Sequence, residues 1–167
     1  MRPLWRIVPA DFGDERLAAL LDLHLEGMRA HSPACGVHAL GLSGLKAPGV
    51  TLFTILDGET LMGMGALRTG AGDWAEIKSM RTHPDHLGKG AGRAMLEHLI
   101  GEARRRGCAR VNLETGTGEA FEPALNLYRR RGFRNGAAFG GYVATDFNQF
   151  LHLDLTGVSG THHQEGP

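Results

Sequence analysis

From Lys78 to Ile100 the chain reads KSMRTHPDHLGKGAGRAMLEHLI, a short strand, a turn built on three glycines and an amphipathic helix in succession. A helix that begins on such a turn presents unpaired backbone N–H groups and the positive end of its dipole. Gly88, Gly90 and Gly92 let a phosphate come close to that backbone. The segment therefore predicts a site for a phosphorylated ligand where a strand hands over to a helix. It also predicts a sheet that carries helices.

The rest of the chain supplies the other elements. Leu4 to Val8 reads as a first strand. Asp14 to Ala30 has apolar residues at Leu17, Leu20, Leu21, Leu25 and Met28, the spacing of one helix face. His31 to Pro48 is irregular, with a short helix expected within Val37 to Leu45. Val50 to Leu56 and Thr60 to Leu67 flank Asp57-Gly58, a strong hairpin signal. Trp74 to Arg81 is the strand before the glycine turn, and Gly90 to Arg106 the helix after it. Arg110 to Thr115 is a strand. Glu119 to Arg131 is a helix stopped by Gly132. Strands at Phe133 to Ala137 and Phe147 to Leu155 close the order. Antiparallel hairpins followed by a βαβ unit predict an α/β (α+β) single domain: a mixed, mostly antiparallel twisted sheet of 6–7 strands flanked by about four helices. Residues 1–155 form that domain, and 156–167, small and polar, read as a flexible tail.

Composition narrows the partners. The chain has 167 residues, 18 Lys plus Arg against 18 Asp plus Glu, and so no net formal charge. That balance, with no aromatic-basic platform, argues against nucleic acid as a partner. No apolar run reaches the ~18 residues of a membrane span, and the first residues lead straight into a strand. No membrane partner and a cytoplasmic setting are the expectation. Cys35 and Cys108 lack metal or redox spacing. Cys108 reads as a core thiol and Cys35 as an incidental one. Arg104, Arg105, Arg106 and Arg110, and Arg129, Arg130 and Arg131, read as helix ends complementing the dipole, with phosphate binding as the sharper alternative. His162 and His163 read as part of the tail rather than a metal site.

Which phosphate ligand the turn serves depends on spacing. A P-loop ends in Lys-Ser/Thr, which Gly88 to Arg93 lacks. A dinucleotide fingerprint has G-x-G-x-x-G near the first strand, whereas Gly88-x-Gly90-x-Gly92 follows several antiparallel strands. The remaining reading is a cradle for the pyrophosphate of an acyl-coenzyme A.

At this point the sequence resembles the GNAT acyltransferase superfamily. HPDHLGKGAGRAMLEHLI looks like its motif A, R/Q-x-x-G-x-G/A before a helix, with Leu87 standing where Arg or Gln is usual. NLETGTGEAFEPALNLYRRRGF resembles motif B, through Asn126, Leu127, Tyr128 and Arg131-Gly132-Phe133. The resemblance covers residues 4 to 155 and extends to a bacterial subgroup of acetyltransferases through EIKSMRT, LETG and the C-terminal aromatic segment. It implies acetyl-CoA as co-substrate, bound by Leu87, Gly88, Lys89, Gly90, Ala91, Gly92 and Arg93 at the pyrophosphate. It further implies Met80, Arg81 and Thr82 along the pantetheine arm, and Asn126 and Tyr128 beside it. Met80 N–H becomes the donor to the thioester oxygen.

Acetyl transfer to an amine needs an acid for the leaving thiolate and a base for the amine. The resemblance makes Tyr128 the candidate acid. Glu114, at a strand end, and Glu76, on the preceding strand, are the candidate bases, with Glu114 ranked slightly higher. Strict alternation places Glu76, Lys78 and Met80 on one face and Ile77, Ser79 and Arg81 on the other. His38 and His83 have a side chain suited to base chemistry, although His83 before Pro84 also reads as a turn cap. The acceptor pocket is expected from 31–48 and 138–150, with Asp146 attracting an amine. The expected reaction is transfer of an acetyl group to a primary amine of a small molecule by direct attack in a ternary complex. Alternatives are a non-catalytic acyl-CoA sensor and a protein N-terminus or lysine acetyltransferase. A homodimer is an expectation by analogy.

Overall fold

A computed structural model describes residues 4–33, 40–70 and 72–156. Cys35, His38, His162 and His163, with most of the tail, lie outside the described residues. The elements are β1 (Trp5–Pro9), α1 (Glu15–His31), α2 (Leu42–Leu45), β2 (Val50–Asp57), β3 (Thr60–Thr69), β4 (Trp74–Thr82), α3 (Ala91–Arg105), β5 (Arg110–Gly116), α4 (Glu122–Arg131), β6 (Arg134–Gly136) and β7 (Asn148–Asp154). Short 3-10 turns at Pro84–His86 and Glu119–Phe121 precede α3 and α4.

Among the described residues the strands form one seven-stranded sheet, ordered β1-β2-β3-β4-β5-β7-β6. Of its pairings only β4 with β5 is parallel, as the βαβ reading requires. β7 inserts between β5 and β6. Two apolar layers follow from the alternation of side chains across the sheet. Leu17, Leu20 and Leu21 of α1 and Leu45 of α2 pack with Leu52, Leu61, Met64 and Ala66. Met95, Leu96, Leu99 and Ile100 of α3 and Leu125 and Tyr128 of α4 pack with Phe53, Ile55, Leu67, Ile77, Val111 and Leu113. Each fully buried Leu or Ile contributes about 1.5–3 kcal/mol of transfer free energy.

Several elements differ locally from their sequence reading. The expected helix at 119–131 is split, because Pro123 occupies its first turn and Glu119–Phe121 winds as a 3-10 turn. The short helix in the 37–45 region is described only at Leu42–Leu45. Cys108 is half-buried and packs at the edge of the α3 layer, and burial pushes its thiol up. Arg110 opens β5 instead of ending a helix. Arg104 and Arg105 lie in the last turn of α3 with Arg106 as its C-cap, and Arg129, Arg130 and Arg131 lie in the last turn of α4. There Arg105 and Arg106 pair with Glu102, and Arg131 pairs with Glu97.

The strict alternation expected for β4 is broken. Ala66 pairs with Lys78 but Met64 pairs with Arg81, so two residues of β4, Ser79 and Met80, face one residue of β3. Ser79 takes φ = 53°, the sole positive value for a non-glycine residue among the described residues. This β-bulge reverses the phase of the strand. Glu76 and Lys78 share one face as expected, and it is the face toward α1. Met80 instead packs into the α3 layer, and Arg81 reaches α1.

Candidate active site

β4 and β5 pair only over Trp74–Glu76 against Arg110–Asn112. β4 then continues to Thr82 and β5 to Gly116. The gap beyond the paired segment opens a cavity of about 460 Å3, lined on its two sides by Glu76–Arg81 and Leu113–Thr115. α1 contributes His24, Gly27, Met28 and His31, and α4 contributes Ala124 and Tyr128. A groove of about 400 Å3 shares Met80, Arg81, Ala124 and Tyr128 with it. It extends along Thr82, Leu87, Ala91 and Gly92 to the start of α3. A third hollow, about 690 Å3, adjoins the first at Lys78 and is lined by Arg68, Tyr142, Asp146 and Asn148.

The glycine turn is shaped for an anion. Gly88 (φ = 75°) and Gly90 (φ = 93°) adopt left-handed backbone, which costs other residues about 1–2 kcal/mol each. Gly90 is the N-cap of α3 and supplies no side-chain cap, so the first-turn N–H groups face outward. A Cβ at Gly88 would meet open space. Lys89 and Arg93 are exposed beside the turn, and Lys89 Nζ lies 3.0 Å from His86 Nδ1. His83 caps the preceding 3-10 turn, its Nδ1 accepting from Asp85 N–H at 3.1 Å.

Tyr128 is buried, and its hydroxyl points at Met80 Sδ, 3.9 Å away. Burial pushes its phenol up to about 12, so it stays protonated at neutral pH. Met80 and Tyr128 therefore meet where cavity and groove join. Asn126 does not join them, because it sits two residues earlier on the exposed side of α4. The α4 residues that line the groove are instead Pro123, Ala124, Leu127 and Tyr128. Their period of three to four along one face was the available signal.

The two glutamates have different surroundings. Glu76 is 1% exposed. Its Oε2 accepts from the Tyr142 hydroxyl at 2.5 Å and from Lys78 Nζ at 3.2 Å. Its Oε1 lies 3.6 Å from Arg68 Nε, an electrostatic contact longer than a hydrogen bond. Lys78 Nζ also donates to the Tyr142 oxygen at 2.6 Å. Burial and the Glu76 carboxylate push the Tyr142 phenol far up. Glu114 is half-buried at the cavity wall, with Oε2 accepting from Asn148 Nδ2 at 3.2 Å. Asn148 Oδ1 in turn takes the Thr145 N–H, which holds the 143–148 turn against β5. Tyr142, Lys78 and Arg68 had no assigned place in the sequence reading of the site. Tyr142 falls within the 138–150 segment expected to help form the acceptor pocket.

Arg81 donates through Nε to His24 Nδ1 at 3.1 Å and through Nη2 to the His24 carbonyl at 3.4 Å. Burial, with the Arg81 charge, lowers His24 to about 4, so its ring is neutral at physiological pH.

Comparison with known proteins agrees with this architecture. The profile of the acetyltransferase (GNAT) family matches residues 17–133. YsnE of Bacillus subtilis, an uncharacterised N-acetyltransferase, is 41% identical over 145 residues, covering 87% of this chain and 96% of its own length. A Klebsiella pneumoniae protein assigned as an acyl-CoA N-acyltransferase superposes with a TM-score of 0.76 at 26% identity, over 92% of this chain and 99% of its own. A Bacillus subtilis acetyltransferase in complex with CoA shares the fold, with a TM-score of 0.68 at 20% identity over 90% of this chain and 99% of its own.

Proposed function

The chain belongs to the acetyltransferase (GNAT) family, and from that premise we propose that it is an acetyl-CoA-dependent N-acetyltransferase acting on a primary amine of a small molecule. The observation that carries this reading is the continuity of three features. A glycine turn at a helix N-terminus leads along a groove into a cavity, and Tyr128 stands at the junction.

Acetyl-CoA supplies the activated acetyl group, and the residues present fit it. The backbone N–H groups of Gly88 to Gly92 hold the pyrophosphate, with Lys89 and Arg93 adding charge. Leu87, exposed and apolar at the groove, contributes contact rather than a charged donor. The β4 backbone at Met80, Arg81 and Thr82 runs past the end of the β4–β5 pairing, so it has room to accept the pantetheine arm as a neighbouring strand. Met80 N–H polarises the thioester carbonyl. Tyr128 protonates the departing thiolate, a role that suits a phenol kept in its acid form.

Glu114 takes the amine proton. It borders the cavity, and its Asn148 contact orients one oxygen. Glu76 is proposed as the positioning carboxylate, because both its oxygens already face Tyr142, Lys78 and Arg68. Transfer then proceeds directly within a ternary complex.

Calorimetric titration with acetyl-CoA, with NAD as control, followed by thiol release across an amine panel, tests the reading. Micromolar binding, about 8 kcal/mol, together with amine-dependent thiol release is expected. Binding without release for any amine would turn the reading toward a non-catalytic sensor.

A further inference from the structure

Arg81 carries a positive charge that no carboxylate among the described residues neutralises. It is half-buried, and its recorded partners are the neutral His24 ring nitrogen and the His24 carbonyl. Among the described residues no carboxylate comes within 4.0 Å of it. Lys78, the other interior cation of the cavity, is engaged with Glu76 and Tyr142. A guanidinium partly removed from water without a counter-ion is costly, and a ligand anion would offset that cost.

The fold makes room for this group. Gly27 lies inside α1, where glycine costs about 1 kcal/mol relative to alanine. A Cβ at Gly27 would stand 2.6 Å from Arg81 Nη2. The helix thus gives up propensity at the point where the guanidinium passes. Arg81, Gly27 and His24 all line the 460 Å3 cavity, and Glu114 lines the same cavity with the opposite charge. Ser79 lines it too, and its buried hydroxyl has no hydrogen-bond partner among the described residues.

We propose that the Arg81 guanidinium recognises a carboxylate on the acceptor, so that the acceptor class is an amine bearing its own carboxylate, as a free amino acid does. The inference rests on the acetyltransferase reading and deepens it. The thioester arm of acetyl-CoA is uncharged and its phosphates belong to the glycine turn, so the anion for Arg81 comes from the acceptor. Fixed fork geometry suits a carboxylate. Polyamines and other purely cationic amines meet the same guanidinium as a repulsive group.

The test compares free α-amino acids with their α-amino amides of the same side chain. Thiol release is read with acetyl-CoA, and calorimetric binding with the coenzyme A-loaded protein. The expected result is that kcat/KM favours the acid by about tenfold or more, the scale of one charge-assisted contact. In Arg81→Gln that ratio falls toward one. In Gly27→Ala it falls as well, because the guanidinium keeps its charge but is displaced, in a helix of higher intrinsic propensity. Equal use of acids and amides by the unaltered protein overturns the inference, as does an unchanged ratio in both variants. Turnover of amides or other amines alone also overturns it, while leaving the acetyltransferase reading standing. Failure of the acid series to bind or react overturns the carboxylate subsite as well.

Discussion

The Tyr142 hydroxyl donates a 2.5 Å hydrogen bond to Glu76 Oε2 across 66 residues of sequence. This contact ties the segment after β6 to the middle of β4. Lys78 closes the triangle, its Nζ 2.6 Å from the tyrosine oxygen and 5.3 Å from the ring centroid. Phe139 packs edge-on against Tyr142, Phe150 and Trp74 beneath it. Removing the hydroxyl in Tyr142→Phe leaves a buried carboxylate with one donor fewer. The unfolding free energy should fall by about 1.5–3 kcal/mol, read from the urea midpoint at constant slope. An unmoved midpoint would mean that Lys78 and Arg68 satisfy Glu76 by themselves.

Tyr128→Phe removes a hydroxyl whose recorded hydrogen-bond partner among the described residues is Met80 Sδ. Its structural cost is therefore small, and its chemical cost is the loss of the proposed proton donor. Turnover should drop by about 10²-fold or more, with acetyl-CoA affinity nearly unchanged by calorimetry. Equal turnover would remove Tyr128 from the mechanism.

His24 sets an acid limit on stability. Its folded value is lowered from 6.5 to about 4 by burial and by Arg81. The unfolded chain therefore binds a proton that the folded chain resists. This contribution is complete above pH ~6.5 and is lost as pH falls toward ~4, with a total of order 3 kcal/mol. Denaturant titrations between pH 7 and 4 should show that slope, and His24→Asn should flatten it. An identical slope in the variant would assign acid lability to another group.

Gly88→Ala places a side chain in open space but at φ = 75°. Steric contact is excluded, so strain alone acts, at about 1–2 kcal/mol. The turn shifts in response, and coenzyme A affinity should fall about tenfold while the thermal midpoint drops by about 2–4 °C per kcal/mol of strain. Full affinity would place the pyrophosphate elsewhere.

The order of elements was legible because it rests on local signals. Apolar spacing marks α1 and α3, Asp57-Gly58 marks the β2–β3 hairpin, and the glycine turn marks the entry to α3. The two glutamates and Tyr128 were legible as site candidates, and they do line one cavity. Three things were not legible. The bulge at Ser79 has no glycine to announce it, and it arises from pairing with β3 that a single strand does not encode. Tyr142 reaches Glu76 only because β7 inserts beside β5 and brings the 137–147 segment over the sheet. Asn126 was named through the motif B resemblance, yet a matched position in a motif says nothing about which side of the helix faces inward.

The surplus residue in β4 gives the strand a change of parity. Before Ser79 even-numbered side chains look toward α1, and after it odd-numbered ones do. Consecutive residues Met80 and Arg81 thus serve opposite sides of the sheet, one beside Tyr128 and the other beside His24. Which side chain meets which chamber is decided here by counting rather than by residue type. A relative with identical residues but one fewer position at this point would face its ligands with a different pair.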